Sequence, residues 1–128
     1  MADAVQTNTI NNGSKRKVIQ ILNYSDGTGE SDVVKLDVSA DDDADYYSIQ
    51  EIQYDIGGFT GVLLYFDATT DDEGVFLPTG SGFKNFQTSG GFPDPLSTGY
   101  TGDIVLTTKG AAADATYDII LHLKKKTL

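Results

Sequence analysis

Few residues in this sequence could carry out chemistry. His122 is the only histidine, and the chain has no cysteine. A histidine that activates a serine or cysteine nucleophile must lie at hydrogen-bond distance from it, and no motif here supplies that pairing. Strand periodicity places His122 on the face opposite Tyr117, Ile119, Leu121 and Leu123. We therefore interpret His122 as a surface residue, predict no catalytic residue, and expect a protein that is not an enzyme.

Two Ser-x-x-Lys matches, 14–17 and 81–84, resemble part of a serine nucleophile motif. That motif needs a helix and accompanying Ser-Asp-Asn and Lys-Thr-Gly sequences, which the chain lacks. Gly80-Ser81-Gly82 likewise lacks the lysine and the glycine spacing of a phosphate-binding loop. The sequence therefore predicts no cofactor.

Three acidic turns are candidates for calcium, which prefers carboxylate oxygens. The run 41–45 matches the first three acidic positions of an EF-hand, but Tyr46 replaces the turn glycine and Ile52 replaces the bidentate glutamate. The turns at 26–30 and 71–74 are shorter acidic segments without such a pattern. We interpret all three as solvated turns and predict no metal site.

Charge is distributed unevenly along a chain whose net charge is −10. Six of the nine basic residues form two clusters, Lys15-Arg16-Lys17 and Lys124-Lys125-Lys126. The intervening stretch, 18–123, holds 18 acidic residues and only three lysines. Nucleic-acid binding requires lysine and arginine against phosphates, so we predict no nucleic-acid partner. No apolar run is long enough to span a membrane and residues 1–6 do not resemble a secretion signal, so we expect synthesis in a cytoplasm and no membrane partner.

Short apolar alternations, rather than helical periods, recur along the chain. They predict about eight strands, with segments at 18–24, 34–38, 49–56, 62–66, 75–77, 83–86, 104–108 and 117–123. Gly57-Gly58 is expected to end the third of these strands. Strands at this spacing predict an all-β fold, an antiparallel two-sheet β-sandwich of the jelly-roll or Ig-like type. Residues 15–128 would form this single domain, preceded by a flexible or partner-ordered arm at 1–14.

The segment 62–66, Val-Leu-Leu-Tyr-Phe, is apolar on both strand faces. It should therefore be a central strand whose outer side is covered by more chain or by a neighbouring subunit. Leu63 and Tyr65 are accordingly candidate partner contacts.

The two basic clusters begin one predicted strand and end another. If these strands are antiparallel neighbours, both clusters meet at one pole and the domain is electrically bipolar. Lys15, Arg16, Lys17, Lys124, Lys125 and Lys126 would then be partner contacts. The alternative is that the lysines protect exposed strand edges against pairing with other chains.

The turn-rich stretch 83–100 contains Phe83, Phe86, Phe92 and Tyr100. They could form an aromatic platform for a sugar, which would make the protein a carbohydrate-binding or host-adhesion module. Because tryptophan is absent and phenylalanine dominates, a role in the core or in a subunit contact is favoured.

Three groups of segments together resemble a known class of protein. They are 5–9 (VQTNT) with 15–20 (KRKVIQ) and 25–31 (SDGTGES), then 54–58 (YDIGG) with 66–70 (FDATT), and 99–108 (GYTGDIVLTT). The pattern resembles the small head auxiliary proteins of tailed double-stranded DNA bacteriophages, which decorate or cement the capsid. The resemblance implies a non-enzymatic structural protein of the virion exterior that binds the major capsid protein and stabilises the lattice. It also implies a homo-oligomer, often a trimer, fastened in part by the N-terminal arm; a tail or portal position would demand similar surface properties.

Overall fold

A computed structural model of the protein describes residues 4–31, 33–40, 44–68, 74–96 and 98–127. Most of the described chain is in β-strands. The strands are β1 (Ala4–Asn12), β2 (Arg16–Asp26), β3 (Val33–Leu36), β4 (Tyr46–Phe66), β5 (Gly74–Asn85), β6 (Phe92–Pro93), β7 (Ile104–Lys109) and β8 (Ala113–Lys126). Short 3₁₀ turns occur at Val38–Ala40 and Gln87–Ser89.

All strand pairs are antiparallel and form one hydrogen-bonded sheet in the order β1-β2-β8-β4-β7-β3. Along one side of β4, β8 pairs with residues 46–57 and β7 with residues 61–66. On the other side, β5 follows β4 through both segments, and β6 pairs with its start. The β4–β5 hairpin thus runs through both the part of the sheet that contains β8 and the part that contains β7. The all-β antiparallel class predicted from the sequence is confirmed.

The long strand β4 continues through the glycine pair that was expected to end it, so that expectation is wrong. The pairing of β4 with β5 shifts register between Ile56 and Gly61, where β4 also changes partner from β8 to β7. Gly58 has φ +85°, and a Cβ there would lie 2.8 Å from the Cβ of Ala115. Glycine therefore lets the strand bend against β8 without terminating, because no side chain opposes the close approach.

One hydrophobic core contains residues from β2, β3, β4, β5, β7 and β8. Its fully enclosed members include Ile19, Ile21, Tyr47, Ile52, Val62, Leu64, Leu77, Ile104, Leu106, Ile119 and Leu121. Alternation in β8 buries Tyr117, Ile119, Leu121 and Leu123, which confirms the predicted inward face. Phe86 and Phe92 also pack against the core, and Phe92 stacks on Phe66 with ring centroids 6.0 Å apart.

Residues 4–12, within the predicted arm, form an edge strand. β1 pairs with β2 from Ala4 opposite Tyr24 to Asn12 opposite Lys17. Eight of its nine residues are nevertheless exposed, so β1 adds little to the core. Whether a partner is needed to order the arm stays a prediction.

Candidate interaction surfaces

The two basic clusters lie side by side. In the β2–β8 ladder, Arg16 is opposite Lys124 and Lys17 is opposite Leu123. The Lys125 amide also donates to the Lys15 carbonyl at 2.8 Å. Antiparallel pairing has therefore brought both clusters to one end of the sheet, as the bipolar interpretation requires.

The alternative, in which these lysines protect open sheet edges, is wrong. β2 lies between β1 and β8, and β8 lies between β2 and β4, so neither strand is an edge. The basic clusters cannot serve to block strand pairing there, because both edges of each strand are already paired.

The six cations differ in exposure. Lys15, Arg16 and Lys124 are exposed and Lys126 is half-buried. Lys17 and Lys125, by contrast, follow the inward parity of their strands and are 6% and 8% exposed. The Lys125 Nζ donates to the Asn12 Oδ1 at 2.6 Å, which connects the end of β8 to the end of β1. We use the name basic pole for Lys15, Arg16, Lys124 and Lys126.

The predicted apolar segment 62–66 forms the last residues of β4 and lies between β7 and β5 in the sheet, as predicted for a central strand. Val62, Leu64 and Phe66 enter the core, which leaves Leu63 and Tyr65 on the outer side. Leu63 is half-buried, whereas Tyr65 is 5% exposed and its hydroxyl lies 3.0 Å from the Thr107 Oγ1.

Neighbouring strands extend this outer side into an apolar patch. Val105 is opposite Tyr65 and next to the exposed Val34, while the half-exposed Phe76 is opposite Leu63. We call Val34, Leu63, Tyr65, Phe76 and Val105 the apolar outer face. Its centre is covered by the chain itself, and its rim, Val34 and Phe76, is open.

A buried ion pair closes the 26–31 turn, which the sequence had suggested only as a solvated acidic segment. The Glu30 Oε2 lies 2.5 Å from the Lys35 Nζ, and both side chains are almost inaccessible. The Glu30 Oε1 also accepts hydrogen bonds from Asn23 at 2.7 Å and Tyr117 at 2.5 Å. Both carboxylate oxygens of Glu30 already have partners within the protein. Glu30 therefore stabilises the fold and is not placed to bind calcium. Sequence spacing gave no signal that these four residues meet.

A group of carboxylates, Asp37, Asp67 and Asp103, lies where β3 and β4 end and β7 begins. The Asp103 Oδ1 accepts the Val38 amide at 2.8 Å, and the Asp67 Oδ2 accepts the Thr101 hydroxyl at 3.0 Å. Burial raises the pKa of Asp103, and the charges of Asp37 and Asp67 raise it further against the opposing hydrogen bond from Val38. Hydrogen bonds from Ser39 lower the pKa of Asp37.

Two shallow depressions, of about 420 and 360 Å³, cross the outer side of β1, β2, β8, β4 and β5. They share Asp55 and Asp118, which face each other across β4 and β8. Ser81 donates to the Asp55 Oδ1 and Gln20 to the Asp118 Oδ1, each at 3.1 Å. Tyr24 lines the first depression and Phe83 lines the second, and both side chains are more than half exposed. Of the four aromatic residues in the 83–100 stretch, Phe86 and Phe92 contact the core, in agreement with the role favoured from the sequence over a sugar platform.

His122 faces outward, half-buried between Val18 and Glu51, as its strand parity predicted. Residues 41–43 and 71–73, which carry most of two candidate calcium turns, lie outside the described residues. Within the described ranges, no group of three or more histidine, aspartate or glutamate side chains is placed to hold a metal ion. Nor does that part of the chain contain a helix long and apolar enough to cross a membrane.

Comparisons with known proteins give little further information. No protein-family model and no curated protein matches the chain. Among solved structures, the capsular polysaccharide assembling protein CapF from Staphylococcus aureus is similar over 91% of this chain and 28% of its own length. The sequence identity is 10% and the TM-score is 0.27, which is too low to support an argument about fold or function.

Proposed function

We propose that this protein is a non-enzymatic virion structural protein that binds the outer capsid lattice through the major capsid protein and stabilises it. The observation that carries the proposal is the basic pole, where Arg16 faces Lys124 on two neighbouring strands of an otherwise strongly acidic chain. A bipolar molecule of this kind would dock in a fixed orientation on an acidic shell surface, because the rest of it is repelled.

The apolar outer face offers a second contact area. Its open rim, Val34 and Phe76, is 48% and 46% exposed and would be covered by a shell subunit or by another copy. The proposal includes a homo-oligomer, with the trimer that the sequence resemblance implies. It also includes the finer fold assignment, a two-sheet sandwich of jelly-roll or Ig-like type, in which the bent β4–β5 hairpin would join the two sheets.

Binding only to the assembled lattice would stabilise the shell by mass action. The direct test is co-sedimentation of the purified protein with expanded capsids that lack it, followed by cryo-electron microscopy of the occupied shells. We expect saturable binding, density on the capsid exterior and a higher capsid melting temperature. Density only at the tail or portal vertex would replace the proposed position, and no binding to virion parts would end the proposal.

A carbohydrate-binding or host-adhesion role is the second candidate. Its sugar site would lie in the two outer depressions rather than in the 83–100 loops. There Tyr24 could stack on a sugar ring while Asp55 and Asp118 accept hydrogen bonds from its hydroxyl groups. A glycan array distinguishes the two candidates, since soluble glycan binding that is lost in Tyr24→Ala, without capsid affinity, would favour adhesion.

A further inference from the structure

β1 is an edge strand with little of the usual protection. It hydrogen-bonds to β2 and lies at one end of the described sheet. Natural edge strands are kept from pairing with other chains by charged residues, proline, bulges or short length. The opposite edge, β3, has four residues and includes Lys35, whereas β1 has nine residues and neither a charge nor a proline. The register of β1 with β2 shifts once, between Thr9 and Asn11, and is unbroken from Ala4 to Thr9.

The side chains of β1 are exposed on both faces of the strand. Val5 and Ile10 are 49% and 56% exposed, so the strand recovers little hydrophobic free energy from the core. Ordering a strand costs about 1–2 kcal/mol per residue in backbone entropy. A second strand on the edge away from β2 would supply further backbone hydrogen bonds to β1 and would pack beside these side chains.

We propose that the open edge of β1 pairs antiparallel with β1 of a second copy of this chain, around a twofold axis near Thr7. Two molecules of net charge −10 repel each other, and β1 is the strand on which no like charges would be brought together. An antiparallel pair of identical strands is self-complementary and closes as a dimer. Centred on Thr7, the register places β-branched Val5 against Thr9 of the partner subunit and Gln6 against Asn8 of the partner subunit, and neither pairing opposes like charges.

This contact does not rest on the proposed function, because it forms in the purified protein without a capsid. If this contact forms alone, the purified protein has the mass of two chains. If it forms together with a trimer, the purified protein has the mass of six chains. A strand from a shell subunit is the competing occupant of the edge. In that case the free protein would have the mass of one or three chains and the proposed pairing would be wrong, while shell binding would still be observed.

The absence of cysteine allows a clean crosslinking test. Thr7→Cys should give a disulfide-linked dimer under mild oxidation, because residues at the twofold axis lie about 4.5–5.5 Å apart between Cα atoms. Two controls should remain uncrosslinked. Ala4→Cys lies on the same strand but roughly 20 Å from its mate in this register, and Gln53→Cys is exposed on the interior strand β4. Equal crosslinking of Thr7→Cys and Ala4→Cys would overturn the register.

Charge exchange provides a second, non-covalent test by light scattering. Thr7→Lys and Thr7→Glu should each raise the dimer dissociation constant at least tenfold, because like charges then meet at the axis. An equimolar mixture of the two variants should restore the dimer. A wild-type protein with the mass of one chain, or variants whose mass equals that of wild type, would contradict the pairing.

Discussion

Asp103 illustrates how a single side chain can oppose and support the fold at once. Its carboxylate caps the Val38 amide, yet it is half-buried near Asp37 and Asp67. The hydrogen bond favours the fold, while loss of hydration and repulsion disfavour the charged form. Because the pKa of Asp103 in the folded protein is raised above its ordinary value of 3.8, the native state binds this proton more tightly than the unfolded state does. Its charge therefore reduces stability at neutral pH, and that reduction disappears as pH falls through the raised pKa.

At the residue scale, Asp103→Asn should stabilise the protein at pH 7 by about 0.5 kcal/mol, because the amide oxygen keeps the Val38 hydrogen bond without the charge. The advantage should shrink as pH falls toward 3.8. Urea unfolding between pH 3.5 and 7 measures both effects. Asp37→Asn is the matched control: the pKa of Asp37 is lowered, so its charge supports the fold above that pKa, and removing it should destabilise at pH 7. Equal behaviour of the two variants would contradict the assignment.

At the scale of elements, β4 is the central strand of the described sheet, since it pairs with β5, β6, β7 and β8. Its two segments belong to different sheet sections, and the chain passes between them near Gly58. The same strand sends Ile52, Val62 and Leu64 into the core and leaves Leu63 at the apolar outer face. Gly58 therefore lies where β4 leaves its pairing with β8 and before its pairing with β7 begins.

Gly58→Ala should lower the free energy of unfolding by about 1–3 kcal/mol, because an alanine is strained in the left-handed backbone conformation at this position and its Cβ would crowd Ala115. Two controls separate these contributions. Gly57→Ala meets only the Thr116 Oγ1, at 3.9 Å, and should be nearly neutral, whereas Gly80→Ala, at φ +108° in open space, should show the backbone cost alone. Chemical denaturation ranks the three. A Gly58→Ala variant as stable as Gly57→Ala would show that the bend tolerates a side chain.

At the scale of the whole molecule, charge segregation is the property most relevant to assembly. The basic pole occupies one end of β2 and β8, while Asp26, Asp114 and Asp118 lie toward the other end of the same two strands. A molecule with this distribution has a preferred orientation in the field of a charged partner. Exposed cations make that orientation sensitive to salt.

The double variant Arg16→Glu with Lys124→Glu should weaken capsid binding by about tenfold or more, mainly by slowing association, and should leave the fold intact since both side chains are exposed. Lys125 is unsuitable for this test because it is buried against Asn12. Lys84→Glu with Lys109→Glu makes the same change in net charge away from the basic pole and is the matched control. Binding to capsids at several salt concentrations would detect the difference, and equal loss in both double variants would exclude a specific role for the pole.

The sequence by itself determined the strand class and the inward face of β8, because both follow from local alternation along the chain. It offered the meeting of the two basic clusters only on the condition that their strands are antiparallel neighbours, and the pairing of β2 with β8 supplied that condition. It could not determine that β4 bends at Gly58 instead of ending, that β1 pairs with β2, or that Glu30, Lys35, Asn23 and Tyr117 share one buried cluster. Only the tertiary structure decided these features, because they arise from contacts between residues far apart in sequence, where spacing along the chain carries no distance information.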